Sequence, residues 1–123
     1  MPTKTMELNA ADYFRAKLEF ETTPHQLKKG LEERRVFLVD VRDREGYQKE
    51  HIPGAVNIPL GELVGHLKEL PRNTPIVTYC WNITCAAAPT AALQLAEKGF
   101  TVRELVGGIE EWKQRGMPTQ SGA

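Results

Sequence analysis

Two unbroken apolar runs constrain this chain more than anything else in it. Val36-Phe37-Leu38-Val39 ends at Asp40, and Pro75-Ile76-Val77-Thr78-Tyr79 ends at Cys80. A strand with one wet face alternates, whereas a continuous run is buried on both faces, as in a parallel sheet covered by helices. Helical segments separate the runs. Thr23-Pro24 is a capping hydroxyl followed by a first-turn proline, and it opens a helix with Leu27 and Leu31 on one face that frays near Glu33. Arg42 to Glu50 reads as a short helix, His51 to Ala55 as a turn, and Val56 to Ile58 as a short strand. Leu60 to Leu70 is helical up to Pro71, and Ala86 to Glu97 up to Gly99. Phe100 to Leu105 is a further strand, and Gly107-Gly108 turns the chain into a last helix, Ile109 to Arg115. Ahead of all these, Asn9 caps a helix reaching Phe20. The alternation predicts an α/β fold with a mainly parallel central sheet of four to five strands and helices on both faces.

Composition narrows the function. At 123 residues the chain is one ordinary domain, and 41% hydrophobic with 26% charged residues is too apolar for disorder. Sixteen basic residues balance sixteen acidic ones, which argues against nucleic acid as a partner, since that affinity is mostly phosphate neutralisation. Apolar runs of about four residues are far short of the roughly 20 that span a membrane, and the first residues lead into no apolar signal segment. Two cysteines are too few for a secreted disulfide scaffold and fit a reducing, cytoplasmic setting. Three scattered histidines and two cysteines make no metal constellation, so neither a metal nor an organic cofactor is expected.

In parallel sheets the site lies at the carboxyl ends of the strands. There the sequence places Asp40 to Arg44 and Cys80 to Cys85. Pro89 belongs in a first helical turn, so the helix after Cys80 begins between Thr84 and Ala88. The backbone N–H groups of residues 81 to 86 can then converge on the Cys80 sulfur. A helix N-terminus favours anions and lowers a thiol's pKa, which makes a nucleophile. The opposing reading is a buried structural cysteine.

From Thr22 to Pro118 the chain resembles a rhodanese domain. Three motifs carry the likeness. The first is Leu38-Val39-Asp40-Val41-Arg42 with Tyr47 and His51-Ile52-Pro53-Gly54-Ala55-Val56-Asn57-Ile58-Pro59. The second is Ile76-Val77-Thr78-Tyr79-Cys80, and the third is Val106-Gly107-Gly108-Ile109-Glu110-Glu111-Trp112. The resemblance implies a sulfurtransferase that carries sulfane sulfur as a persulfide on Cys80. A small sulfur donor supplies the sulfur and a thiol or protein acceptor takes it. Trp81, Asn82, Ile83, Thr84, Cys85 and Ala86 would form the binding loop, through backbone N–H groups and a pocket wall. The resemblance also implies that Asp40 anchors neighbouring loops and that Arg42 has a structural or rim role.

Many active members have a glycine and an arginine where this chain has Ile83 and Cys85, and no basic residue occurs from Cys80 to Glu97. Arg42 and Arg44 are then the remaining rim cations for an anionic donor, and thiosulfate should be a poor one. Phosphatases of the same fold need an arginine where Ala86 stands, which excludes that chemistry. Cys85 either resolves oxidised or persulfidated Cys80 or packs as a small hydrophobe. Trp81 either walls the pocket or caps the core. The alternative function is a catalytically quiet binding module or a thiol redox sensor. Residues 1–21 form a helical extension to a domain at 22–118, with a tail at 119–123. Tyr13, Phe14, Leu18 and Phe20 predict that the extension packs on the domain or on a partner subunit.

Overall fold

The computed structural model describes residues 7–122; residues 1–6 of the expected extension and residue 123 of the tail lie outside them. Five strands form one sheet: β1 (Glu21–Thr22), β2 (Phe37–Asp40), β3 (Val56–Asn57), β4 (Ile76–Tyr79) and β5 (Val102–Leu105). All pair in parallel, in the order β1-β5-β4-β2-β3. The two apolar runs are therefore neighbours, with Asp40 opposite Tyr79. From β2 the chain moves to one side, to β3, and from β4 to the other, to β5. That divergence opens a crevice outside the carboxyl ends of β2 and β4, the usual place for a site in an open parallel sheet.

Period-two alternation sends the strand side chains to two cores. Val39, Ile76 and Val102 face Leu63 of the 3-10 helix Leu60–Glu69, Leu70 just after it, and Ala88, Ala91 and Leu95 of α4 (Ala87–Glu97). Leu38, Val77, Tyr79 and Leu105 face Leu27 of α2 (Pro24–Glu32), and Ile109 and Trp112 of α5 (Gly108–Gln114). Between β2 and β3 lies the short α3 (Arg44–Lys49), capped by Asp43. Thr23 and Gln26 form a reciprocal capping box that starts α2, as the Thr-Pro pair foretells.

Three expectations change. β1 is a strand the pattern does not signal, because two residues carry no period; pairing with β5 alone defines it. The terminal segment is tied down: the His51 and Gln120 backbones exchange N–H···O bonds of 2.8 and 2.9 Å, and Trp112 Nε1 donates to the Pro118 carbonyl at 2.7 Å. The first helix, α1 (Ala10–Phe20), forms with its Asn9 cap and touches β1 and β5, yet it buries none of its residues. Leu18 stays 84% exposed, and Tyr13, Phe14 and Phe20 about half exposed. Burial of two aromatics within the chain is thus not achieved. A groove lined by Tyr13 and Phe20 on one side and Pro89 and Leu93 on the other lies between α1 and α4.

Candidate active site

Cys80 immediately follows β4 and continues its alternation, pointing with Ile76 and Thr78 toward α4. Thr78 Oγ1 donates to the Ala88 carbonyl at 2.9 Å, which ties the start of α4 to the strand. Between them the loop folds on itself. Asn82 Oδ1 accepts from the Thr84 N–H at 3.1 Å and hydroxyl at 2.9 Å, and the Cys85 N–H donates to the Asn82 carbonyl at 3.1 Å. These bonds return Cys85 toward Cys80.

The start of α5 holds this loop from the far side. Ile109 N–H donates to the Cys80 carbonyl and Glu110 N–H to the Trp81 carbonyl, each at 3.0 Å. Gly108 sits at φ +62°, where a Cβ would collide with the Cys80 carbonyl oxygen, so only glycine lets the two backbones meet. Gly107-Gly108 is a close-packed turn here. Sequence reasoning noted the pair without its partner, since nothing local to it indicates Cys80.

A cavity of about 210 Å³ opens at the thiol. Of the expected loop residues, Cys80, Asn82, Ile83 and Cys85 line it; Trp81, Thr84 and Ala86 do not. Trp81 turns the other way. Its ring lies over the Arg42 guanidinium, 4.4 Å from the centroid, and against Gly46, where a Cβ would come within 2.7 Å. It walls a second cavity instead, shared with Glu50 and Lys113.

Neither expected rim cation reaches the thiol. Arg42 is 3% exposed; its Nη2 donates to Asp40 Oδ2 at 2.7 Å and to the Glu50 carbonyl at 2.6 Å, while its Nε straddles both Asp40 oxygens. Burial works against the Arg42 charge, and Asp40 more than offsets it. Asp40 is itself fully buried, so the pair is scaffold. Arg44 is exposed and engages Glu62 at 2.6 Å, away from the cavity. The lysine that does line the mouth is Lys17 from α1, held by Glu21 at 2.9 Å, with Glu104 beside them. Burial and the Glu21 charge raise the Glu104 carboxyl above its ordinary range, against Lys17. Reading the sequence missed this trio because α1, β1 and β5 meet only in the folded chain.

The thiol chemistry also departs from expectation. Burial, and then the hydrogen bond to the Cys85 side chain, push the Cys80 thiol up to about 12. The N–H groups of Trp81 and Ala88 pull the other way and lose. The Cys80 thiol also donates to the Cys85 carbonyl at 3.5 Å. Cys85 moves in the opposite sense. Burial opposes its ionisation, but the bond from Cys80 and the N–H groups of Ala87 and Trp81 lower its pKa. The helix-start effect therefore falls on Cys85, the more exposed sulfur, because desolvation outweighs it at Cys80.

A rhodanese-like domain family model matches residues 23–115. The chain belongs to the rhodanese-like domain family. Within it, the HTH-type transcriptional regulator Rv0324 of Mycobacterium tuberculosis is 43% identical over 82% of this chain. The match covers 45% of the regulator, so this rhodanese-like chain spans about half that relative's length. Thiosulfate sulfurtransferase GlpE of Coxiella burnetii is 31% identical over 68% of the chain and 77% of its own length. Among solved structures, the BH2092 protein of Bacillus halodurans superposes with a TM-score of 0.82 at 36% identity, covering 91% of this chain and 84% of that one. No helix among the described residues is long and apolar enough to cross a membrane.

Proposed function

We propose that this rhodanese-like chain is a cytoplasmic sulfurtransferase that carries sulfane sulfur on Cys80. The observation that carries this reading is the cysteine pair at the crevice: Cys80, fixed at the end of a central strand, donates its thiol hydrogen to the Cys85 carbonyl, and both line a cavity sized for a small molecule. The relative named thiosulfate sulfurtransferase supports the same reaction class.

As a donor enters, the Cys80 proton passes to solvent. The Cys80 thiolate then attacks the donor's outer sulfur, and that sulfur's bond to the rest of the donor breaks. Cys80–S–S⁻ forms, and the donor remnant departs with the bonding electrons. The N–H groups of Trp81 and Ala88 favour the anionic form of Cys80 and would stabilise it without reorganising, in the manner of an oxyanion hole. An acceptor thiolate then takes the outer sulfur and returns Cys80 as a thiolate. An adjoining cavity of about 530 Å³ shares Ile83, Val106 and Gly107 with the first and gives the acceptor room.

Intact mass spectrometry after exposure to a persulfide donor and, separately, to thiosulfate tests this. A gain of one sulfur atom is expected in Cys85→Ser, and none in Cys80→Ser. Uptake retained in Cys80→Ser overturns the assignment. The competing reading, a quiet binding or redox-sensing module, is favoured by the buried, protonated Cys80 and a loop without cations. No sulfur gain in Cys85→Ser from either donor decides for it.

A further inference from the structure

Cys85 is the second free cysteine of the site. It lines the same cavity as Cys80, its carbonyl accepts from the Cys80 thiol at 3.5 Å, and its N–H bond to Asn82 folds it back across the loop. A second sulfur thus shares the cavity with the first. The electrostatics of the mouth point the same way. A persulfide's outer sulfur is anionic, and this cavity offers it no arginine. Glu21 and Glu104 line the wall with Lys17, which Glu21 already holds. An anion placed against two carboxylates and one lysine is less favoured than the same charge released to water.

We propose that Cys85 resolves the Cys80 persulfide: its sulfur attacks Cys80 Sγ, forms a Cys80–Cys85 disulfide and expels the outer sulfur as hydrosulfide. The chain thereby has a second activity, sulfide release coupled to a dithiol, beside transfer to an acceptor. The proposal rests on Cys80 carrying the sulfur. The balance closes without an oxidant: Cys80–S–S⁻ plus HS–Cys85 gives the disulfide plus HS⁻. The bond between Cys80 Sγ and the outer sulfur breaks, and the Sγ–Sγ bond forms. The two cysteine sulfurs together lose two electrons, and the sulfane sulfur gains them. The Cys85 proton leaves with the hydrosulfide. Attack on the inner sulfur is the step that matters, because attack on the outer one only moves the persulfide across the pair. An added dithiol then reduces the disulfide and restores both thiols.

The test uses the full chain without oxygen, loaded with one equivalent of a small persulfide donor, followed by intact mass and sulfide assay. Wild type should end two hydrogens lighter than the reduced protein, having released about one sulfide per chain. Without donor it should stay fully reduced. Cys85→Ser and Cys85→Ala should each keep one added sulfur and release sulfide at least about tenfold more slowly. A wild type that keeps its added sulfur as stably as the two variants overturns the resolving role and leaves Cys80 as carrier. Failure of all three proteins to take up sulfur overturns the carrier reading and this proposal with it. A mass gain in Cys80→Ser overturns the assignment of the two roles.

Discussion

The loops after β2 and β4 start in register, Asp40 beside Tyr79, and are built on opposite principles. In the first, every buried charge is answered. Asp40 takes the Arg42 backbone N–H, Nε and Nη2, and the same guanidinium serves the Glu50 carbonyl under the Trp81 ring. In the second, burial makes a thiol keep its proton, which it donates to the Cys85 carbonyl. One loop spends its polar groups on rigidity; the other leaves a sulfur that can change its bond. The contrast teaches that the charged residues nearest a strand end can be the least available to a ligand.

Breaking the first loop should cost most. Arg42→Met leaves Asp40 buried and unpaired, a loss of about 3–5 kcal/mol. In a domain of this size that lowers Tm by more than about 10 °C, read by calorimetry. The second loop should reveal itself by titration. With Cys80 pushed up to about 12 and Cys85 lowered, iodoacetamide near pH 8 should modify Cys85 more than about a hundredfold faster, since each unit of pKa is about tenfold in thiolate. Peptide mapping over time gives the order. In Cys85→Ser, alkylation of Cys80 should climb with pH well past the ordinary thiol value of 9.0. Stability carries the matching sign: folded Cys80 holds its proton where the unfolded chain has lost it, so this contribution is present below about pH 9 and fades toward 12.

A smaller effect should follow from the strut that joins α5 to the Cys80 loop. Gly108→Ala forces a positive φ and a clash with the Cys80 carbonyl, about 1–3 kcal/mol in denaturant melts. Sulfur uptake should slow with it. An unchanged rate beside a lowered Tm would separate the strut from the chemistry. The smallest change sharpens the contrast in available charge. Ile83→Lys places a cation in the lining of the Cys80 cavity and should lower the thiosulfate KM severalfold, on the order of 1 kcal/mol. A wild-type KM already far below millimolar removes the premise that Lys17, held by Glu21, leaves the mouth short of a cation.

Much of this was legible in the sequence for a local reason. The runs Phe37–Asp40 and Ile76–Tyr79 announce buried parallel strands because a doubly covered strand tolerates no polar alternation. Thr23-Pro24 announces α2 through capping within four residues. Cys80 at a strand end before a helix needed only the order of those elements. β1 was not legible, since two residues have no period and only β5 makes them a strand.

What tertiary structure alone decided concerns solvent and neighbours from distant segments. Arg42 reads as a free cation at a loop until Asp40, Glu50 and Trp81 close over it. Cys80 reads as an activated thiolate until burial is weighed against two N–H groups and burial prevails. Lys17 and Glu104 are 87 positions apart by their numbers, yet both line the Cys80 cavity because β1 pairs with β5 and carries α1 to its rim. Backbone form follows from short-range sterics and hydrophobic period, which a linear pattern records. Charge state and reactivity follow from desolvation and from partners across the fold, and those exist only once the chain has closed around them.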